Sequence, residues 1–127
     1  MLLKLEPESE IPIYLQLRQQ IINGVAQGTL KPGDTLPSVR QMAVDLGINL
    51  HTVNKAYALL QNEGFVKIYG RKGVVIAGKP GYDSDFINEL EHKIERIYLE
   101  AKGRGMTGSQ FCELATSVVR SSEKEKD

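Results

Sequence analysis

The 127-residue sequence has no tryptophan, one cysteine, and aromatic residues at only 6%. A lone Cys112 excludes an intrachain disulfide framework, and no Cys or His pair stands at zinc-ligand spacing. That usage fits the reducing cytoplasm. Long apolar runs are also missing: the longest is Ala56 to Leu60, and Met1-Leu2-Leu3-Lys4-Leu5-Glu6 lacks the basic start and apolar stretch of a signal peptide. No membrane partner is expected, and the mature chain is expected to begin at Met1. Neither charge sign is in excess, with 16 basic and 16 acidic residues, which argues against a polybasic arm or an acidic disordered tail. A mass of 14.1 kDa leaves room for one domain, or a small domain plus an extension, and 41% apolar residues suffice for a core. Two histidines and one cysteine at unrelated spacings supply no paired acid and base, so neither an enzyme nor a cofactor or metal site is expected.

What is present is a series of capped, periodic segments. Tyr14, Leu17, Ile21 and Val25 recur at helical spacing between Pro12 and Gly28, predicting a helix from about Pro12 to Gln27. Lys31-Pro32-Gly33-Asp34 is a turn, and Leu36-Pro37 is extended. Ser38 is a suitable N-cap for a helix over Val39 to Leu46, which Gly47 stops, and Asn49 can cap a third helix running to about Glu63 before Gly64. Two helices separated by a three-residue turn containing glycine form the helix-turn-helix signature. Phe65 to Tyr69 and Gly73 to Ala77 alternate as strands around a basic tip, Gly70-Arg71-Lys72, predicting a β-hairpin. Gly78-Lys79-Pro80-Gly81 reads as a linker. Beyond it, Ile87, Leu90, Ile94, Ile97 and Ala101 alternate steps of three and four, the rhythm of a helix offering a seam to another helix, over about 17 residues. After Gly103-Arg104-Gly105, Thr107-Gly108-Ser109-Gln110 resembles a capping box, and Phe111, Leu114, Ala115, Val118 and Val119 mark a second amphipathic helix before a charged tail. Two helices alone enclose little core, so the faces carrying Ile87, Leu90, Ile94, Ile97, Phe111, Leu114 and Val118 are expected to pair with a second copy.

The third helix divides by angle. At about 100° per residue, Val53, Ala56, Tyr57 and Leu60 share one face and form the buried stripe. His51, Lys55, Ala58 and Asn62 lie opposite, with Thr52 and Asn54 on the flanks. Such a face suits a DNA groove, where the N-terminal residues of the helix meet base edges, favouring His51, Thr52, Asn54 and Lys55 over Asn62. Arg71, Lys72 and Gly73 at the hairpin tip are placed for phosphates or a narrow minor groove. Tyr14 and Tyr57 read as core aromatics with wet hydroxyls. Cys112 has no general base beside it, and His92 sits on a charged helix face.

These segments carry a resemblance. Gly33-Asp34-Thr35-Leu36-Pro37-Ser38-Val39-Arg40, then Gly47 to Tyr57, then Leu60, Glu63-Gly64 and the hairpin closing on Gly73 resemble the winged helix-turn-helix of GntR-family transcriptional regulators over roughly residues 11 to 77. The short C-terminal part, with Glu100-Ala101-Lys102 and Gly105-Met106-Thr107, resembles the YtrA-like subfamily. The resemblance implies a homodimeric bacterial repressor, often of an operon encoding an ATP-binding-cassette transporter. It places Ser38 and Arg40 against the DNA backbone and Thr52 near the start of the recognition helix. Many family members have arginine where this chain has Leu50 and Asn54, and the short subfamily often has proline at Leu50 and asparagine at His51.

The expected fold is α+β and mostly α: a winged helix-turn-helix over 1–77, a linker over 78–81, and a helical dimerisation segment with a charged tail over 82–127. The expected partners are an operator in double-stranded DNA and a second copy of the chain. No cluster of residues marks an effector site. A winged-helix module that binds protein instead of DNA is the alternative. The zero net charge is a sum of opposites, since residues 11–77 hold seven basic against three acidic side chains, an excess of four, while the segments on either side are each acidic by two. A modest positive field on the proposed DNA-facing part favours shape and specific contacts over bulk charge.

Overall fold

The computed structural model describes residues 3–70 and 73–124. In chain order the elements are α1 (Ile13–Gln27), β1 (Thr35–Leu36), α2 (Val39–Leu46), α3 (Leu50–Asn62), β2 (Val66–Ile68), β3 (Val74–Ile76), α4 (Ser84–Gly103) and α5 (Gly108–Lys124). They fall into two compact units that meet between Pro80 and Gly81.

In the first unit, local chemistry fixes the helix ends. Ser38 Oγ accepts from the Gln41 N–H at 3.1 Å, and Asn49 Oδ1 accepts from the His51 N–H at 2.7 Å. Each satisfies a donor that the first helical turn leaves free. Pro12 caps α1 instead of occupying its first turn, so that helix begins one residue later than the sequence predicts. Gly47 closes α2 in the left-handed region, at φ 65°, which a residue with a Cβ rarely adopts.

The buried stripes of α1 (Leu17, Ile21, Val25), α2 (Met42, Ala43) and α3 (Val53, Ala56, Tyr57, Leu60) meet Leu36, Val66, Val74 and Ile76 of the sheet in one core. Gly24 lets the chain return across α1: a Cβ there would stand 2.7 Å from Leu30 Cδ1. The sheet has three antiparallel strands in the order β1-β3-β2, with Val66 opposite Ile76, Ile68 opposite Val74, and Leu36 also opposite Val74. The hairpin predicted from alternation is therefore β2-β3, each strand shorter than the sequence suggests. The extended Leu36 segment closes its outer side.

Residues 3–11 lie along α1. The amides of Lys4 and Glu6 donate to Gln20 Oε1 and Gln16 Oε1, both at 2.8 Å. Gln16 Nε2 returns bonds to the carbonyls of Glu6 and Ile11, and Gln20 Nε2 returns one to that of Lys4. Two glutamines one helical turn apart thus hold this irregular segment through their side chains, and Leu3 and Leu5 reach the edge of the core.

The second unit is a helical hairpin. Asp83 Oδ1 caps α4 by accepting from the Phe86 N–H at 2.9 Å. The reciprocal capping box opens α5: Gln110 N–H donates to Thr107 Oγ1 at 3.1 Å, and Thr107 N–H to Gln110 Oε1 at 2.9 Å. Tyr98 and Phe111 hold the two helices edge to face, with ring centroids 5.2 Å apart. α4 runs for 20 residues, longer than expected, and none of them is buried.

Candidate nucleic-acid interface

The exposed face of α3 is defined by what its other sides are attached to. Val53, Ala56, Tyr57 and Leu60 point into the core at 0% exposure. Tyr57 also reaches back across the turn, its hydroxyl donating to the Pro37 carbonyl at 2.8 Å. That bond ties α3 to the residue just before the Ser38 cap of α2, fixing the two helices of the motif relative to each other. The hydroxyl is therefore dry, not wet as the sequence suggests, because its acceptor lies within the fold. Burial pushes its pKa well above the ordinary value of 10.0. On one flank, Gln61 Oε1 accepts from the Ile68 N–H at 2.8 Å and fastens α3 to the wing strand β2. On the other, Lys55 Nζ lies 4.0 Å from the centre of the Tyr14 ring, in the first turn of α1.

Between these attachments His51, Asn54, Lys55, Ala58 and Asn62 are exposed and Thr52 is half-buried. The face holds an imidazole, amides, a hydroxyl and an ammonium, and no acid. Ser38 and Arg40 stand at the start of α2, with Ser38 Oγ already engaged as the cap. Among the described residues Arg40 makes no ion pair, and two acids of the same part, Asp34 and Asp45, have other partners: Asp34 accepts from the Lys31 N–H and Asp45 from the Gln41 side chain. Glu63, the third acid of residues 11–77, is taken up by Arg18 in a two-pronged pair at 2.7 and 2.5 Å. Its hydrogen bonds raise the pKa of Arg18. Gly73 adopts φ 95° where the chain re-enters β3, and it is half-buried. Arg71 and Lys72 lie outside the described residues.

The residues expected to pair copies lie on α4 and α5. Ile87, Leu90, Ile94 and Ile97 on α4 and Leu114 and Val118 on α5 are exposed in the single chain, while Phe111 is half-covered by Tyr98. Phe86 and Val119 extend the same apolar surface. Neither Phe86, one helical step before Leu90, nor Gln61, whose partner is set by the wing, is marked by a motif in the sequence. Cys112 and His92 are both exposed. Among the described residues no group of three or more His, Cys, Asp or Glu is placed to hold a metal ion, and no helix is long and apolar enough to cross a membrane.

Capped α2 and α3 joined through Gly47 and flanked by the β2-β3 wing make the first unit a winged helix-turn-helix. The wider comparison agrees: the model of the bacterial regulatory proteins of the gntR family matches residues 13–76. The chain belongs to the GntR family, a family of DNA-binding transcriptional regulators and not of enzymes, and it is YtrA-like within it. It is 40% identical over 107 residues to the HTH-type transcriptional repressor YtrA of Bacillus subtilis, covering 83% of this chain and 82% of that one. Among solved structures it resembles YtrA from Sulfolobus acidocaldarius, a GntR-family transcription factor, at 40% identity and TM-score 0.64 over 78% of this chain and 99% of that one. It also resembles the DNA-binding domain of AraR in complex with operator ORX1, at 27% identity and TM-score 0.52 over 59% of this chain and 93% of that one.

Proposed function

We propose that this chain acts as a cytoplasmic homodimeric repressor whose two winged units read the half-sites of a palindromic operator, with a transporter operon as the target that the subfamily resemblance suggests. The observation that carries the proposal is the outward face of α3. It is a polar, acid-free surface beginning at the helix N-terminus, held on both flanks and backed by a packed core.

His51, Thr52 and Asn54 meet base edges in the major groove, where an amide and an imidazole supply both donors and acceptors. Ser38 and Arg40 steady the motif on the phosphates, and Arg71, Lys72 and Gly73 bring the wing to the backbone or the minor groove. Pairing of α4 and α5 with a second copy buries Ile87, Leu90, Ile94, Ile97, Phe111, Leu114 and Val118. It also fixes the half-site spacing, which for such dimers is about 34 Å or a multiple of it. A dimer seated on a promoter excludes polymerase, so repression follows from occupancy alone.

Selection of bound duplexes from a random-sequence pool tests this reading. An enriched motif with two-fold symmetry, bound with a steep loss of affinity as salt rises, is the expected result. Failure to enrich any sequence would return the chain to the class of winged-helix protein-interaction modules.

A further inference from the structure

The placement of Lys55 points to a more specific division of labour on α3, one that rests on the DNA-binding reading. Its ammonium lies 4.0 Å from the centre of the Tyr14 ring, within the range where the negative face of an aromatic ring attracts a cation. No carboxylate pairs with Lys55 among the described ion pairs. The ring is therefore what organises an otherwise flexible side chain, and the ammonium N–H groups turned away from the ring stay free to donate.

The pair also has a side. Lys55 leans toward α1, whereas Gln61 on the other flank is bound to β2. A helix lying in a groove has base edges beneath it and a sugar-phosphate wall on each flank. A flank-facing ammonium is thus directed at a wall, and as a compact point charge it suits phosphate better than the two-pronged reading of a base. We propose that Tyr14 is a positioning residue that presents Lys55 to a phosphate of the DNA backbone, leaving base discrimination to His51, Thr52 and Asn54.

The probes are the duplex that the wild-type chain selects from a random pool and a scrambled duplex of equal length. Lys55→Met is expected to weaken binding to both by a similar factor and to lower the slope of log affinity against log salt by about one. Tyr14→Phe, which keeps the ring, is expected to leave affinity unchanged. Tyr14→Leu is expected to weaken binding by about two- to fivefold, and to do nothing further in a Lys55→Met background. Because Tyr14 also packs at the edge of the core, thermal melting accompanies each variant. If Tyr14→Leu melts early, pentafluorophenylalanine at position 14 replaces it, keeping the ring shape while reversing its electrostatics, with the same loss expected.

A Lys55→Met variant that alters base preference at an unchanged salt slope would overturn the proposal. So would a loss at position 14 that is equal with and without Lys55. A wild-type chain that enriches no duplex from the random pool would overturn the DNA-binding reading itself, a result distinct from either of these.

Discussion

Replacing Tyr57 by phenylalanine should change stability in opposite directions at neutral and at alkaline pH. The ring is fully buried and its hydroxyl donates one 2.8 Å hydrogen bond, to Pro37. Removing the hydroxyl forfeits a bond whose net worth is about 1 kcal/mol, with a small addition because Pro37 is half-exposed and its carbonyl is partly rehydrated. The expected loss at pH 7.5 is therefore about 1–1.5 kcal/mol.

Burial raises the pKa of Tyr57 above its ordinary 10.0. A folded-state pKa raised in this way means that the hydroxyl's contribution is fully present below about pH 10 and is lost as pH climbs toward the folded value, because only the unfolded chain ionises easily there. Each unit above pH 10 removes up to about 1.4 kcal/mol from the wild type and nothing, through this position, from the variant. The two stabilities should cross near pH 11, and by pH 11.5 the variant should be the more stable by about 0.5–1 kcal/mol. Urea unfolding of the full chain followed by circular dichroism at pH 7.5, 10 and 11.5 measures this. A difference that stays constant across the three pH values would show that the hydroxyl is not held protonated by the fold.

Three further outcomes follow from the packing. Gly24→Ala should lower stability by about 1–3 kcal/mol, because its Cβ would meet buried Leu30 at 2.7 Å and the clash outweighs the gain of about 1 kcal/mol in helix propensity; urea midpoints test it. Arg18→Met and Glu63→Gln should each cost about 1 kcal/mol or less, since the side chains are 26% and 36% exposed and water screens the pair, and a double-mutant cycle should give a coupling that falls with salt. If copies pair as proposed, Ile94→Glu should convert the chain to monomers in sedimentation velocity without changing the melting of the first unit, and a dimer that survives it would contradict pairing through α4.

The parts of this fold legible in the sequence are those governed by near neighbours. Ser38, Asn49 and the Thr107–Gln110 box announce helix starts because a cap and the amide it satisfies are only two or three residues apart. The stripe Val53, Ala56, Tyr57 and Leu60 announces a buried face because 3.6-residue periodicity is local. The features not legible join distant residues. β1 is two residues long, too short for alternation to register, and exists because Leu36 can lie beside Val74. The Tyr57 bond to Pro37 spans 20 positions, and the glutamine ladder that lays residues 3–11 along α1 spans up to 16. Each needs the packed core before its partners come within reach.

The candidate site divides in the same way. His51 and Lys55 are visible as outward residues, and Asn54 as a flanking one, from angle alone, whereas the flanking roles of Gln61 and Tyr14 depend on where β2 and α1 pack against α3.

The whole assignment turns on whether the outward face of α3 reads DNA sequence. It is tested most directly by measuring how the wild-type chain and His51→Ala bind the selected duplex and every single-base variant of it. His51→Ala is expected to lose discrimination of about 1 kcal/mol or more at one position, repeated symmetrically in the two half-sites, while keeping its preference elsewhere. An unchanged preference at every position, with affinity lowered evenly or not at all, would contradict it.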